Sequence, residues 1–426
     1  MANANGKLWN RDFSLLIIVQ VLALFGNSIL SFALPLHILN ISGSPALFGT
    51  VLALSFIPLI LMSPVGGVIA DRNKKQRIML WMDISTSVLI MLFIAAMRLA
   101  ESGSVAMMVP FVVVKVMALN VIQGLYMPTT MAAVPFLAPA EKLIPANAIA
   151  NSIFSLSNIV GPVVGGILYA AFGLSPILLV SAAIFVAVAV IDLFIRIPFK
   201  KQKPEGGIMR MLKSDLSKCA RLAIREKPAI GKVGFIMFLF GIPSLAMVIV
   251  ALPVLITQNL GLDMDLFGLS QGLAMGGGLL GGILAGALEK RLTIKKAHWM
   301  LAVCSAAIIP MGLVFLLNAP PLAAYAVVTA SSALIMMAAQ IVTIQILAFI
   351  QLETPSELVG KIIAVTMALV LGSYPVGQLL FGVLLERFYA SPWLVMFGAS
   401  FMAGAIALYS RRHFRGIGLN LLRQGK

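Results

Sequence analysis

The chain has few charged residues and few of the residue types that build soluble active sites. Only 11% of its 426 residues are charged, against about 25% in typical soluble domains. It contains 15 acidic residues, three histidines and two cysteines. Cys219 and Cys304 fall on a predicted loop and in a predicted helix, so we expect no disulfide between them.

These scarcities argue against an enzyme. The sequence has no cysteine–histidine spacing typical of a metal site. Its polar segments carry neither a nucleophile with an adjacent base nor a glycine-rich phosphate-binding loop. They are also too short to form an ATP-hydrolysing domain. We therefore expect no catalytic residues, no metal and no cofactor.

Long apolar runs dominate the chain instead. Hydrophobic residues make up 60% of it, and about 20 consecutive apolar residues suffice to cross a bilayer as a helix. The sequence predicts an all-α membrane protein with twelve transmembrane helices arranged as two six-helix pseudo-repeats. The predicted helices cover residues 13–39, 45–70, 78–98, 104–127, 144–171, 174–196, 232–257, 265–288, 297–317, 321–350, 358–384 and 390–410.

The basic residues predict how the helices are oriented. With both termini placed in the cytoplasm, only Arg98, Lys115 and Arg387 of the 31 lysines and arginines do not fall on the cytoplasmic side. Retention of positive charge on that side is the usual determinant of topology. We expect a multi-pass protein of the cell membrane. Its net charge of +16 is explained by anionic lipid headgroups, without a nucleic-acid partner.

The stretch 67–77 joins a glycine-containing helix end to an acidic and then basic loop. Gly67, Asp71 and Arg72 match the front half of the pattern G-x-x-x-D-R-x-G-R-R. Lys74 replaces its second glycine, and Lys75 and Gln76 stand for its basic pair. The stretch resembles the loop between helices 2 and 3 of the major facilitator superfamily. The resemblance implies a twelve-helix transporter that works by alternating access.

The same resemblance implies a gating motif around this loop. Asp83 lies at the start of helix 3, and we expect it to pair with the bases of the loop. The implied gating residues are Gly67, Asp71, Arg72, Lys75 and Asp83.

The two halves of the sequence resemble each other. Gly66 and Gly67 precede the acidic and basic loop, and Gly281 and Gly282 occupy the corresponding place roughly half the chain later. Parallel repeats of this kind build the two halves of the superfamily, with the substrate site between them. The predicted domains are an N-terminal bundle over 1–196, a cytoplasmic linker over 197–231, and a C-terminal bundle with a cytoplasmic tail over 232–426.

Helix 5 carries a second motif, Gly161, Pro162, Gly165 and Gly166, which is similar to the G-P-x-x-G-G core of drug antiporters in the superfamily. Together with Asn27 and its neighbours, it resembles the macrolide-efflux-like branch. We expect the glycines to form a tight contact between the two halves, with helix 8 or 11 as the partner. The alternative is a kink that serves packing only.

Polar side chains within the predicted spans are the candidates for a substrate cavity, because polar groups are costly in lipid. Lys115 is the most unusual of them, since it falls about the middle of helix 4. The alternatives are that the amides only join helices, and that Lys115 lies nearer the interface. The candidate cavity residues are Gln20, Asn27, Ser31, Lys115, Asn120, Gln123, Gln340 and Thr343.

Three functions fit these features. The first is a secondary exporter of amphiphilic small molecules, drug-, macrolide- or siderophore-like, coupled to protons or another ion gradient. The second is an importer or flippase of an anionic or zwitterionic lipid-like substrate, which an ammonium in the cavity would favour. The third is a membrane sensor that transports nothing. The expected partners are the substrate, the coupling ion and membrane lipids, and we expect a monomer.

Overall fold

The computed structural model describes residues 8–99, 105–198, 226–287, 294–354 and 359–424. Within these ranges twelve helices are long and apolar enough to cross a membrane, and no residue lies in a strand. The predicted all-α fold with twelve spans is therefore confirmed. The predicted linker, 197–231, lies largely outside the described residues.

The helices of the first half follow one another with short connections. A 3-10 turn at Ala140–Lys142 precedes α5. The six helices are α1 (Arg11–Ser42), α2 (Pro45–Arg72), α3 (Lys75–Leu99), α4 (Val105–Leu137), α5 (Leu143–Phe172) and α6 (Leu174–Asp192).

The second half likewise contains six successive membrane-spanning helices. The span α7 contains two π-helical segments, Ile242–Ala246 and Val254–Asn259, and a 3-10 turn at Ile294–Lys296 precedes α9. The six helices are α7 (Pro228–Asn259), α8 (Met264–Ala287), α9 (Ala297–Leu316), α10 (Pro321–Glu353), α11 (Val359–Arg387) and α12 (Pro392–Gln424).

The helix α4 continues ten residues beyond its predicted end at residue 127. Pro128 lacks a backbone N–H, so the carbonyl of Gly124 receives no helical hydrogen bond. The Thr129 hydroxyl donates to the carbonyl of Leu125, 2.8 Å away, and the helix runs on to Leu137. Proline therefore interrupts the bonding of α4 without ending the helix.

Helix pairing repeats between the two halves. In the first half α3 packs against α4 and α6, and α1 packs against α5. In the second half α9 packs against α10 and α12, and α7 packs against α11. Each pair in the second half is the first-half pair advanced by six helices. The predicted internal repeat is therefore present in the packing as well as in the sequence.

The chain divides into two compact units. One takes in residues up to Gly43 and from Leu54 to Met209, and the other takes in Ser44–Ala53 and the residues from Arg210 onward. The first turns of α2 therefore belong to the second unit, where the Glu386 carboxylate accepts a hydrogen bond from the backbone N–H of Ala46, 3.0 Å away.

Candidate functional site

Two side chains at the start of α3, directly after the loop that follows α2, contact neighbouring helices of the first unit. Lys75 is buried, donates to the carbonyl of Ala70 at 3.1 Å, and lies 4.5 Å from the centroid of the Phe136 ring. The side-chain amide of Gln76 donates to the backbone carbonyl of Asp192 at 2.9 Å. The loop is therefore held against the C-terminal ends of α4 and α6.

The charged positions of the motif directly precede these contacts. The side chain of Asp71 lies outside what the structure describes, and Arg72 is half-buried. A Cβ built on Gly67 would have nothing within 4 Å, whereas one built on Gly66 would lie 2.5 Å from the carbonyl oxygen of Gly124. The glycine required for close packing is thus Gly66, one position before the motif glycine.

Asp83 does not take the place that the sequence predicted for it. It lies two turns inside α3, is 1% exposed, and forms its side-chain interaction with Asp192 of α6 rather than with the bases of the loop. Asp192 is fully buried. The helix α3 begins at Lys75, earlier than predicted, which moves Asp83 away from the loop and into the bundle.

A tyrosine completes this cluster of buried polar groups. Tyr126 of α4 is 5% exposed, and its hydroxyl lies within electrostatic range of the side chains of Asp83 and Asp192. Within the described part of the chain, this hydroxyl has no hydrogen-bond partner. Two carboxyl groups and one phenol thus meet between α3, α4 and α6.

Asp83 and Tyr126 also line a small, partly enclosed cavity, where they are joined by two of the predicted cavity residues, Asn27 of α1 and Gln123 of α4. The space has room for about one water molecule. Its apolar wall is formed by Ala23, Leu24, Leu119, Ile122 and Phe185.

The other predicted cavity residues of α1 and α4 lie elsewhere. Gln20 is buried, its amide oxygen has no donor among the described residues, and Ser31 is exposed. The amide of Asn120 donates to the carbonyl of Val116 in its own helix, 3.0 Å away. The side chain of Asn120 therefore serves its own backbone rather than joining helices.

In the second unit, the two polar residues predicted to line the cavity from α10, Gln340 and Thr343, are not buried, whereas Gln345 of the same helix is. Gln340 is exposed, and the Thr343 hydroxyl donates to the carbonyl of Ala339 within the helix. Gln345 is 7% exposed, and neither its amide nitrogen nor its oxygen has a partner in the described ranges.

Lys115 is buried but does not line the cavity. It is 3% exposed, and its ammonium lies 3.9 Å from the centroid of the Phe93 ring of α3. A cation over an aromatic face is stabilised by the ring quadrupole, by about 2 kcal/mol or more when desolvated. In this structure an aromatic ring therefore takes the place expected for water or an anionic substrate, and the role of Lys115 in a substrate cavity stays a prediction.

The glycines of α5 pack against α1. A Cβ on Gly161 would overlap the Cβ of Ser28, and one on Gly165 would lie 3.1 Å from the Phe32 ring. The sequence had predicted helix 8 or 11 as the partner. For these two glycines the partner is α1 of the same unit.

The glycines of α8 pack in the same manner. A Cβ on Gly277 would overlap the carbonyl of Ala333, and one on Gly281 would overlap the carbonyl of Met337, both on α10. The contact between α8 and α10 repeats that of Gly66 on α2 with Gly124 on α4.

The family model of the Major Facilitator Superfamily matches residues 16–373. The chain belongs to the major facilitator superfamily. It is therefore a multi-pass membrane transporter, and its gating and cavity candidates are residues of a transport protein.

Two curated relatives of this superfamily transporter carry the same name. Macrolide efflux protein A of Streptococcus pyogenes is 25% identical over 198 residues, which are 45% of this chain and 46% of that protein. Macrolide efflux protein A of Enterococcus faecalis is 27% identical over 153 residues, 34% of this chain and 43% of that protein. The chain thus spans less than half the length of these relatives in each match.

Solved structures of the superfamily cover nearly the whole transporter. The nucleoside transporter NupG aligns with a TM-score of 0.73 at 14% identity, over 93% of this chain and 99% of that one. A bacterial homologue of the iron transporter ferroportin aligns with a TM-score of 0.69 at 14% identity, over 94% and 98%. At such identities the likeness establishes the fold alone.

Proposed function

We propose that this transporter exports amphiphilic small molecules, drug- or macrolide-like or siderophore-like, across the cytoplasmic membrane. Both termini lie in the cytoplasm, and export contributes to resistance against several compounds. The observation that carries the proposal is the similarity to macrolide efflux protein A of two bacterial species.

Transport proceeds by alternating access between two six-helix halves, residues 1–196 and 232–426. Amphiphilic cargo needs apolar walls with a few placed polar groups. The cavity of the first unit supplies that combination, with the amides of Asn27 and Gln123 beside leucine, isoleucine and phenylalanine side chains. Since the cavity now has room for only about one water molecule, cargo could enter it only after the helices around it move apart.

The loop after α2 acts as the cytoplasmic latch in this proposal. Lys75 and Gln76 connect it to α4 and α6, so a movement of those helices displaces the loop. Asp71 and Arg72 would then make or break contacts that hold the cytoplasmic side closed. Gly67, with open space around its Cα, leaves room for that movement.

The driving force is an ion gradient, and we propose protons in exchange for substrate. The sequence offers no ATP-binding motif, and buried carboxyl groups beside a cavity are suited to binding and releasing protons. Asp83, which lines the cavity, and its neighbour Asp192 are the groups of this kind in the first unit.

Import or lipid flipping is the second candidate, which shares the fold and which an ammonium in the cavity would favour. Since Lys115 lies on the Phe93 ring, no contact of the described residues favours an anionic lipid. Import therefore enters only as an outcome of the transport test.

Accumulation of radiolabelled erythromycin, a macrolide, tests the proposal in bacteria that lack their own drug exporters. Cells producing the transporter should accumulate less erythromycin than cells with an empty vector, and a protonophore should abolish the difference. Higher accumulation would indicate import. The proposal would be contradicted if both kinds of cell accumulated the same amounts of erythromycin, and of a set of cationic and zwitterionic dyes, although the protein was present in the membrane.

A further inference from the structure

The carboxyl groups of Asp83 and Asp192 form a buried pair. Asp83 is 1% exposed and Asp192 is 0% exposed. They lie within hydrogen-bonding range of each other. No donor among the described residues reaches Oδ2 of Asp83 or either carboxyl oxygen of Asp192. A hydrogen bond between two carboxyl groups therefore requires that one of them carry a proton.

Two negative charges in contact in an apolar interior are not stable without a cation. Carboxylates about 3 Å apart hold one proton between them for this reason. The ammonium of Lys115 on α4 lies over the Phe93 ring, so this buried lysine does not neutralise the pair. A proton is the cation that the geometry can accommodate between the two side chains.

We propose that Asp83 and Asp192 are the proton-binding site of this transporter, sharing a proton when closed and releasing it when water enters the adjoining cavity. This assignment rests on the proposed proton-coupled export. It places proton binding on α3 and α6, at the cytoplasmic side of the first unit.

The surroundings of the pair supply what proton transfer needs. From α4 the titratable group that faces it is Tyr126, whose hydroxyl has no hydrogen-bond partner among the residues described. That hydroxyl can donate to the carboxylate that remains after proton release. From α1 the neutral amide of Asn27 lines the same cavity as Asp83, and Thr86 is the neighbouring polar group on α3.

The pair is also connected to the loop after α2. Gln76 donates to the backbone carbonyl of Asp192, and Asp192 is the last residue of α6. Repulsion between the two carboxylates after deprotonation would push α6 from α3 and displace Gln76. Proton occupancy can in this way alter the position of the latch.

Infrared spectroscopy of the purified transporter in detergent tests the shared proton without any substrate. The wild type should show the C=O stretching band of a protonated carboxyl group at neutral pH, and the band should disappear on raising the pH. Asp83→Asn and Asp192→Asn should each lose it. The matched control is Asp265→Asn, at an exposed helix start of the other unit, which should keep it. Absence of the band from the wild type would overturn the proposal.

Proton movement in proteoliposomes tests the coupling. An outward gradient of erythromycin should change the pH of the lumen of wild-type vesicles, as reported by an enclosed pH-sensitive dye, and Asp83→Asn should lose this signal. Tyr126→Phe, which removes only the hydroxyl, should slow it. Proton movement by Asp83→Asn at the wild-type rate would contradict the proposal.

Sodium dependence of the flux in place of the pH signal would identify the pair as a metal-cation site and would likewise contradict it. If the wild type showed the carboxyl band but no proton movement driven by erythromycin, the shared proton would be supported and the macrolide substrate would be rejected. The two experiments thus separate failure of this site from failure of the proposed function.

Discussion

Gly66 of α2 and Gly124 of α4 approach each other so closely that a Cβ added to Gly66 would lie 2.5 Å from the carbonyl oxygen of Gly124. That carbonyl has no helical partner because Pro128, four residues on, lacks an N–H. The Cα–H group of Gly66 thus faces an oxygen free to accept a weak hydrogen bond. Helix contact in lipid depends on small residues of this kind.

Gly66→Ala should destabilise the protein, because the new methyl group forces α2 and α4 apart. Overpacking of this kind costs about 1–3 kcal/mol. The measurement is the thermal unfolding midpoint in detergent. The matched control is Gly67→Ala, the adjacent residue, whose Cβ would have nothing within 4 Å and which should leave the midpoint unchanged. Equal midpoints for both variants would show that the close contact is not maintained.

Gly161→Ala should lower the thermal midpoint because its Cβ would overlap that of Ser28 on α1. Ser28→Gly removes the overlapping atom, so the double variant should recover much of the loss. A coupling energy in this cycle, typically about 0.5–3 kcal/mol for residues in contact, measures the packing of α5 on α1. Additive effects would place Gly161 away from Ser28.

Lys115→Met should reach the membrane normally and should retain erythromycin flux, because Lys115 lies on Phe93 and not in the cavity. An unpaired charge is costly to bury, so an apolar chain of similar size should not destabilise this position. Thermal stability and flux are measured at matched expression. Loss of flux with unchanged stability would return Lys115 to the transport pathway.

Asp71→Asn should reduce erythromycin flux while leaving membrane insertion intact, since the latch proposed for the loop needs the acidic charge. The matched control is Lys74→Gln in the same loop, an exposed residue that should leave flux unchanged. Flux and membrane content are measured together. Wild-type flux in Asp71→Asn would remove the latch from the mechanism.

The twelve helices could be predicted because each is a long apolar run, and run length alone decides membrane spanning. The ends of the helices were harder to predict. Just before Pro128 the sequence predicted the end of α4, yet the helix continues to Leu137, because the proline removes only the hydrogen bond to the Gly124 carbonyl. A proline within a transmembrane helix is tolerated where a neighbouring helix packs against the freed carbonyl, as Gly66 of α2 does here.

Only part of the candidate site could be predicted from the sequence. Asn27 and Gln123 were predicted as cavity residues and both line the cavity of the first unit. Asp192 was missed, although an aspartate within the apolar run 174–196 was a visible signal. Its position near the end of that run resembles an ordinary helix boundary, and its pairing with Asp83 is a contact between helices that periodicity does not encode.

The position of Lys115 could not be predicted for a similar reason. A lysine in the middle of a span indicates a costly charge but not which group relieves the cost. Phe93 lies earlier in the sequence, on the adjacent helix α3. Only the packing of α3 against α4 brings its ring under the ammonium.

Erythromycin flux in proteoliposomes under an imposed pH gradient, with sodium equal on both sides, tests proton-coupled export most directly. In the wild type, erythromycin should move in the direction opposite to the downhill flow of protons, and its flux should reverse when the pH gradient is reversed. Flux in Asp192→Asn should be insensitive to the pH gradient. Wild-type flux that ignores the pH gradient, or flux in Asp192→Asn that still reverses with it, would contradict coupling through the Asp83 and Asp192 pair.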